Sequence, residues 1–542
     1  MLMPIALLGG WHARRQAKAF LRAADRVRKT QEDLLAGLLA AHAETAFGRD
    51  HGFSSIRSYE QFISRVPVGS YETLRPYVKR VLAGQAAALL PPGEPVVMFS
   101  MTSGTTGEPK HIPVTGRFAR EMRRGWNIFG SMALSDHPEA YLRPVLQISS
   151  PKHQADSPTG LPCGAISGLL AETQKRIVRW MYVVPPAVQA VPDPPARYYT
   201  ALRCGVGRDV SMIVTANPSS TIKMIETGQE HAERLIRDVA DGSLSPPGQI
   251  GPGIVESLRF RPDRALAARL EAGIRRDGQL RPRHFWNVAL LCNWTGGTLK
   301  LYLRRLRELF DGAPIRDIGL LASEGRLSIP MADDTAAGAA EITGNFLEFI
   351  PAAEAGAADP PTLRAHELEV AAEYFIVVSN WAGLWRYNID DRIRVVGRLG
   401  ECPVFEFLSR GAHTASITGE KLTEHQVVEA MRLAGLRAGV EVERFVMQGR
   451  FARTPYYELR MEAEGVAPLD KLAQLLDEAL AALNMEYASK RASGRLGPVR
   501  AVPMPAGSAE RAEQERIRQR SGRSEQYKHR YLLTEVIHDE DI

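Results

Sequence analysis

A short apolar run, Pro95-Val96-Val97-Met98-Phe99, feeds directly into Ser100-Met101-Thr102-Ser103-Gly104-Thr105-Thr106-Gly107-Glu108-Pro109-Lys110. The run reads as a buried strand, and the segment after it is a loop unlike an ordinary turn. Four hydroxyl side chains, Thr102, Ser103, Thr105 and Thr106, fall within five residues, with two glycines and a lysine behind them. Glycine lets backbone N–H groups turn toward an anion, the hydroxyls donate further hydrogen bonds, and Lys110 brings a full positive charge. Strand and loop together make a phosphate cradle. It is not a Walker A loop, because the glycines stand three apart and His111 follows the lysine. Composition alone leaves a plain Ser/Thr/Gly surface loop equally open.

A chain of 542 residues exceeds one core, so two or more domains are expected. The net charge of +6 is a small excess of 68 Lys+Arg over 62 Asp+Glu. With no long basic run it gives no reason to expect nucleic acid. Cys163, Cys204, Cys292 and Cys402 lie far apart without a C-x-x-C pair, which argues for reduced thiols rather than a zinc site or disulfide framework. No apolar run approaches the roughly 20 residues of a membrane helix. The expectation is a cytoplasmic protein with no membrane partner.

Residues 11–45 have helical periodicity, and further helices are expected near 58–62, 71–82 and 117–135. Strands are expected at 145–149, 212–215, 285–291, 318–321, 345–351, 368–370, 374–379 and 393–397. Thr298 is placed to cap a helix over Leu299–Phe310. Gly251-Pro252-Gly253 lacks a preceding strand and is no dinucleotide loop. This βα alternation makes residues 1–407 a large α/β domain with mixed sheets. Leu408-Ser409-Arg410 is the expected hinge, and 411–542 a small α+β domain. In the latter, Thr423 and Gln426 are spaced as a capping box, and a long helix is expected over 469–490.

Four further groups could carry chemistry. Glu324 follows a strand and suits either a helix cap or a metal ion. Asp390-Asp391 suits either a turn or a ribose diol. Lys421 reads more readily as a solvated loop lysine, and Lys528 more readily as a surface lysine than as a catalytic one. Combined with the cradle, they fit an enzyme that activates a carboxylate with ATP.

The order and wording of these motifs resemble the Gretchen Hagen (auxin-responsive promoter) family of acyl acid amido synthetases, within the acyl-adenylate-forming superfamily. The resemblance runs from about Thr45 to Arg530. It rests on Thr45-Ala46-Phe47-Gly48-Arg49-Asp50-His51-Gly52-Phe53, Val66-Pro67-Val68 with Tyr71-Glu72, and the Thr102–Lys110 cradle. Ala322-Ser323-Glu324-Gly325, Phe346-Leu347-Glu348-Phe349-Ile350-Pro351, Gly383-Leu384-Trp385-Arg386-Tyr387 through Asp391, and Gln526-Tyr527-Lys528 complete it. It implies that Thr102, Ser103, Gly104, Thr105, Thr106, Gly107 and Lys110 hold the ATP phosphates. Glu324 would bind Mg²⁺, with Ala322, Ser323 and Gly325 against the nucleotide. Asp391 would take the ribose hydroxyls, Arg410 and Lys421 would join the nucleotide site, and Lys528 would act with Lys110 in catalysis. The implied reaction converts an acid to an acyl-AMP and passes the acyl group to an amine such as an amino acid. Coenzyme A as acceptor, or a nucleotide-binding protein without catalysis, are the alternatives.

The chain departs from the family in three places. Leu320 stands where a tyrosine able to stack on adenine is usual. Asp390 replaces a glycine, which is expected to change the turn before Asp391. The acyl pocket, expected within 120–220, matches nothing that names an acid.

Overall fold

The structure is a computed structural model. It describes residues 2–102, 110–174, 176–411, 414–415, 417–418, 420, 422–452, 454–462, 468–492, 496–508, 510–511, 515 and 529–538. Cα proximity divides the chain into two units. One comprises 1–296 and 305–407, the other 297–304 and 408–542.

The first unit opens with two helices, Leu2–Ala24 and Val27–His42. The second buries Val27, Gln31, Leu35, Leu38, Leu39 and His42, a stripe at helical spacing. Gln31 is a polar member with its whole amide in use. Its Nε2 donates to Ile342 O at 2.6 Å and Asn345 O at 2.9 Å, and its Oε1 accepts from Leu347 N at 2.8 Å. A fully satisfied glutamine fixes the helix on the neighbouring strand more specifically than an apolar residue would.

Three larger sheets come next. A seven-stranded sheet has the order Ser328–Pro330, Gly338–Ala340, Cys402–Arg410, Tyr387–Leu399, Glu373–Asn380, Asn345–Pro351, Leu363–Arg364. The last of these elements but one pairs antiparallel with both of its neighbours. The second sheet is wholly parallel: Val145–Ile148, Met212–Thr215, Leu290–Asn293 and Ile315–Asp317. Met212–Thr215 and Leu290–Asn293 are buried at every position, as strands covered on both faces must be. The third sheet contains the antiparallel pair Val96–Thr102 and Lys110–Thr115.

Several elements differ from expectation, each for a local reason. Pro282 opens a 3₁₀ turn, so the strand expected at 285–291 starts only at Leu290. The expected strand 318–321 is two short ones, Ile315–Asp317 and Leu321–Ala322. They are separated at Gly319, whose φ of +87° is left-handed and whose Cβ would lie 2.4 Å from Ser328 O. Thr298 lies inside a 3₁₀ helix, Gly297–Tyr302, and the α-helix begins at Leu303. Residues 365–367 form a 3₁₀ turn and Ala371 has φ +71°, so no strand forms at 368–370.

In the second unit a sheet ordered Arg500–Met504, Tyr456–Glu462, Phe445–Phe451, Leu532–His538 packs with the helices Glu424–Ala438 and Leu469–Leu483 around one apolar core. The capping box forms: Gln426 N donates to Thr423 Oγ1 at 3.2 Å and Thr423 N to Gln426 Oε1 at 3.0 Å. The expected 469–490 helix breaks at Asn484, whose Oδ1 accepts from Tyr487 N at 2.9 Å to start a new one, Met485–Ala492.

Candidate active site

The cradle is the connection of a hairpin. Thr102 pairs with Lys110, so the two strands hold both ends of the loop at one place. Ser103, Gly104, Thr105, Thr106 and Gly107 lie outside the described residues, as do Lys421 and Lys528. Thr102 and Arg410 are placed by their backbones, each at the end of a strand.

Lys110 rises from the returning strand between two tyrosines. Its ammonium lies 5.7 Å from the Tyr71 ring centroid and 5.8 Å from that of Tyr387, within the range of cation–π attraction. It also donates to the Tyr387 hydroxyl at 3.3 Å. Tyr71 is itself held, since its hydroxyl accepts from His111 N at 2.9 Å. The lysine is thereby restrained as well as charged.

Ala322 and Gly325 pair antiparallel, so Ser323 and Glu324 are the two residues at the tip of a tight hairpin. Ser323 Oγ accepts from Ser100 Oγ at 2.9 Å, which ties this tip to the cradle strand. The Tyr387 hydroxyl that receives Lys110 stands 3.5 Å from Glu324 Oε1. Glu324 is buried, and its backbone carbonyl accepts from Asn380 Nδ2 at 2.6 Å. Asn380 also donates to Asn345 Oδ1 at 3.2 Å, and Asn345 Nδ2 donates to Arg326 O at 2.8 Å. A Cβ on Gly325 would come within 2.7 Å of Asn345 Oδ1, so only glycine leaves room for this amide relay. Three motifs that are far apart in sequence thus meet through Ser100–Ser323 and Lys110–Tyr387–Glu324.

The third motif owes its path to backbone conformations that few residues accept. Gly383, Arg386 and Asp390 have φ of +78°, +39° and +66°. Trp385 is buried among Phe53, Phe47, Phe62 and His42, with ring centroids 4.5 to 6.4 Å away. The Thr45–Phe53 segment therefore builds the seat for the third motif. Arg386 is buried against Glu348 at 3.0 Å, and it also donates to Val66 O at 2.8 Å and Thr362 Oγ1 at 2.7 Å. With Gly69 N donating to Arg386 O and Asn388 N to Gly69 O, the Val66–Val68 stretch is locked to the motif. Arg386 is a fastening for this loop.

Asp390, which stands where a glycine is usual, has a positive φ. It adopts the left-handed conformation that glycine favours and aspartate tolerates, with its N–H donating to Asn388 Oδ1 at 2.8 Å. Phe375 faces Arg392 while Val377 faces Asn388, so residues 389–391 bulge from the ladder. Asp391 lies within this bulge and is buried in phase with Tyr387, Ile389 and Ile393. Leu320 is half-buried against the main core, its N–H donating to Ser328 Oγ at 2.9 Å.

Within the expected acyl region, the helix Gly116–Asp136 buries Phe118, Met122, Gly125, Ile128, Phe129 and Ala133. Arg326 enters against it, with its guanidinium 4.7 Å from the Trp126 ring and 5.3 Å from Phe129. It donates to Ile318 O at 2.6 Å. Burial draws its pKa down to about 10, which leaves it charged at neutral pH. Gly125 makes this possible, since a Cβ there would meet Arg326 Cδ at 2.3 Å.

Sequence reasoning missed Tyr387 and Tyr71 as site residues, although both stand inside stretches that carried the resemblance. It also missed Asn345 and Asn380, for which no local signal exists. The four cysteines are free, and burial pushes the thiols of Cys204 and Cys402 up to about 12, which makes them unreactive. Among the described residues no three His, Cys, Asp or Glu side chains converge on a metal position, and no helix is long and apolar enough to cross a membrane. Glu324 offers a single carboxylate, which suits a Mg²⁺ ion that arrives on nucleotide phosphates and needs few protein ligands.

The chain is similar to several known proteins. Indole-3-acetic acid-amido synthetase GH3.8 of Oryza sativa subsp. indica is 26% identical over 512 residues, covering 86% of this chain and 82% of that protein. Jasmonoyl–L-amino acid synthetase GH3.5 of Oryza sativa subsp. japonica is 23% identical, covering 87% and 86%. In fold, the chain is similar to the AtGH3.15 acyl acid amido synthetase in complex with 2,4-DB, with a TM-score of 0.83 at 19% identity over 96% of this chain and 94% of that one. The GH3 family N-terminal domain matches residues 16–315, its central domain 339–410 and its C-terminal domain 425–536. On these matches and the meeting of its three motifs, the chain belongs to the GH3 family.

Proposed function

We propose that this chain adenylates a carboxylic acid with ATP and then transfers the acyl group to an amine, an amino acid being the acceptor. The observation that carries this reading is the convergence of Lys110, Tyr387 and Glu324 beside a hydroxyl- and glycine-rich hairpin.

A carboxylate is a poor electrophile at neutral pH, and conversion to an acyl-AMP gives it a good leaving group. In the first half-reaction a carboxylate oxygen bonds to the α-phosphorus of ATP and pyrophosphate leaves. In the second, the amine nitrogen attacks the acyl carbon, AMP departs with its bridging oxygen, and a proton is released. Thr102, Ser103, Gly104, Thr105, Thr106, Gly107 and Lys110 hold the phosphates. Ala322, Ser323 and Gly325 lie along the nucleotide, Asp391 accepts from the ribose diol, and Arg410 and Lys421 complete the site. Glu324 would hold a Mg²⁺ ion, which would neutralise phosphate charge. Lys528 steadies the acid carboxylate and the α-phosphate, where negative charge gathers in the transition state. Leu408–Arg410 serves as the hinge between half-reactions. Buried free thiols support a cytoplasmic setting.

A panel of carboxylic acids assayed for pyrophosphate release, with amino acids or coenzyme A as acceptor, tests this. Amide products are expected. A thioester product would sink the amide reading, and no release with any acid would sink adenylation.

A further inference from the structure

We propose that the N-terminal helix and the short helix Arg176–Met181 form a docking surface for anionic phospholipid bilayers. The helix Leu2–Ala24 contains four Lys or Arg residues and no Asp or Glu. Trp11, Arg14, Arg15, Lys18 and Arg22 recur at i, i+3, i+4, i+7 and i+11, which puts them on one stripe of an α-helix. All five are exposed, and Trp11 is 60% exposed. Ala17, Phe20 and Ala24, on the opposite side, are the buried face. Ahead of the stripe, Leu2-Met3-Pro4-Ile5-Ala6-Leu7-Leu8 carries no charge.

The second helix repeats the pattern. Arg176-Ile177-Val178-Arg179-Trp180-Met181 has two cations and no acid, with Trp180 62% and Val178 37% exposed. It packs against the N-terminal helix. The N-terminal helix also lies against the helix Gly116–Asp136. Gln16 Oε1 accepts from Asn127 Nδ2 at 2.9 Å, while Met181 and Tyr182 pack against the buried cluster that includes Phe129, Ala133 and Val145. Glu172, just before the second helix, is paired with Lys152 at 3.3 Å.

Two largely exposed tryptophans among cations are costly in water and suited to the boundary between headgroups and acyl chains. The indole ring buries its body there while its N–H stays wet, and the cations meet anionic headgroups. Charge alone would suit any polyanion. The tryptophans and the uncharged run of seven residues favour a lipid surface. The association is peripheral, consistent with the lack of a spanning helix among the described residues, and it departs from the expectation of no membrane partner.

The test is co-sedimentation of the full chain with phosphatidylcholine vesicles, with and without about a third phosphatidylglycerol. Binding is expected only with the anionic vesicles, and it should weaken in high salt. The exposed variants W11A/W180A and R14E/R15E/K18E, checked for unchanged thermal unfolding, should each bind at least about tenfold more weakly. No binding to anionic vesicles, undiminished binding by both variants, or equal retention on heparin by wild type and W11A/W180A with no vesicle binding would overturn the proposal.

Discussion

Tyr387 joins Lys110 to Glu324 through one hydroxyl, and replacing it with phenylalanine removes that oxygen with little change of shape. A hydrogen bond to a charged group contributes about 1.5–3 kcal/mol, so Tyr387→Phe should slow acyl-AMP formation by a factor of roughly ten to a hundred. Stopped-flow pyrophosphate release would measure it, and an unchanged rate would remove Tyr387 from the site. His42 makes a different prediction. Its Nδ1 is bonded to Leu38 O, Nε2 has no hydrogen-bond partner among the described residues, and burial, with Arg117 nearby, pulls its pKa down to about 4. Between that value and the ordinary 6.5 the unfolded chain binds the proton and the folded one does not. Stability from His42 is therefore present above pH 6.5 and lost as pH falls toward 4, on the order of 3 kcal/mol in full. His42→Phe should flatten the pH dependence of the melting temperature in this window. Lys110, Glu324 and Asp391 could be singled out from sequence because each is a charged residue inside a stretch that carries the family resemblance. Tyr387 could not, because an aromatic in a strand reads first as core.

At the scale of elements, the bulge at 389–391 carries Asp391 and depends on a left-handed residue at 390. Asp390→Gly should keep full activity, since glycine reaches φ +66° without strain. Asp390→Val should raise the KM for ATP several-fold or more, because a β-branched residue resists that conformation and would pull Asp391 out of place. Equal kinetics in the two variants would show that the bulge does not position Asp391. The helices Tyr71–Leu82 and Gly116–Asp136, the capping box and the strand Met212–Thr215 were legible because each shows a helical period, a cap or an unbroken apolar run. The strand expected at 285–291 misled because an apolar run marks burial, and Phe285 and Trp286 are buried without being in a strand. The asparagines at 345 and 380 were invisible because their partners stand tens of residues away.

At the scale of the whole molecule, buried Arg386 and Glu348 clamp two distant stretches of the first unit together. Breaking such a pair by Glu348→Ala leaves a buried charge unmatched and should cost about 3–5 kcal/mol by denaturant unfolding. An effect within about 0.5 kcal/mol would mean that water replaces the partner. On the proposed reaction, Lys528→Ala should slow acyl-AMP formation far more than amide formation from supplied acyl-AMP. Family membership could be inferred from motif order, whereas the acid could not, because nothing within residues 120–220 matches a pattern that names one. The most direct test of the reaction traces the oxygen atoms. With an acid labelled with oxygen-18 in both carboxylate positions, one labelled atom should appear in the phosphate of AMP and one should remain in the amide. Label in inorganic phosphate, or none in AMP, would contradict the account.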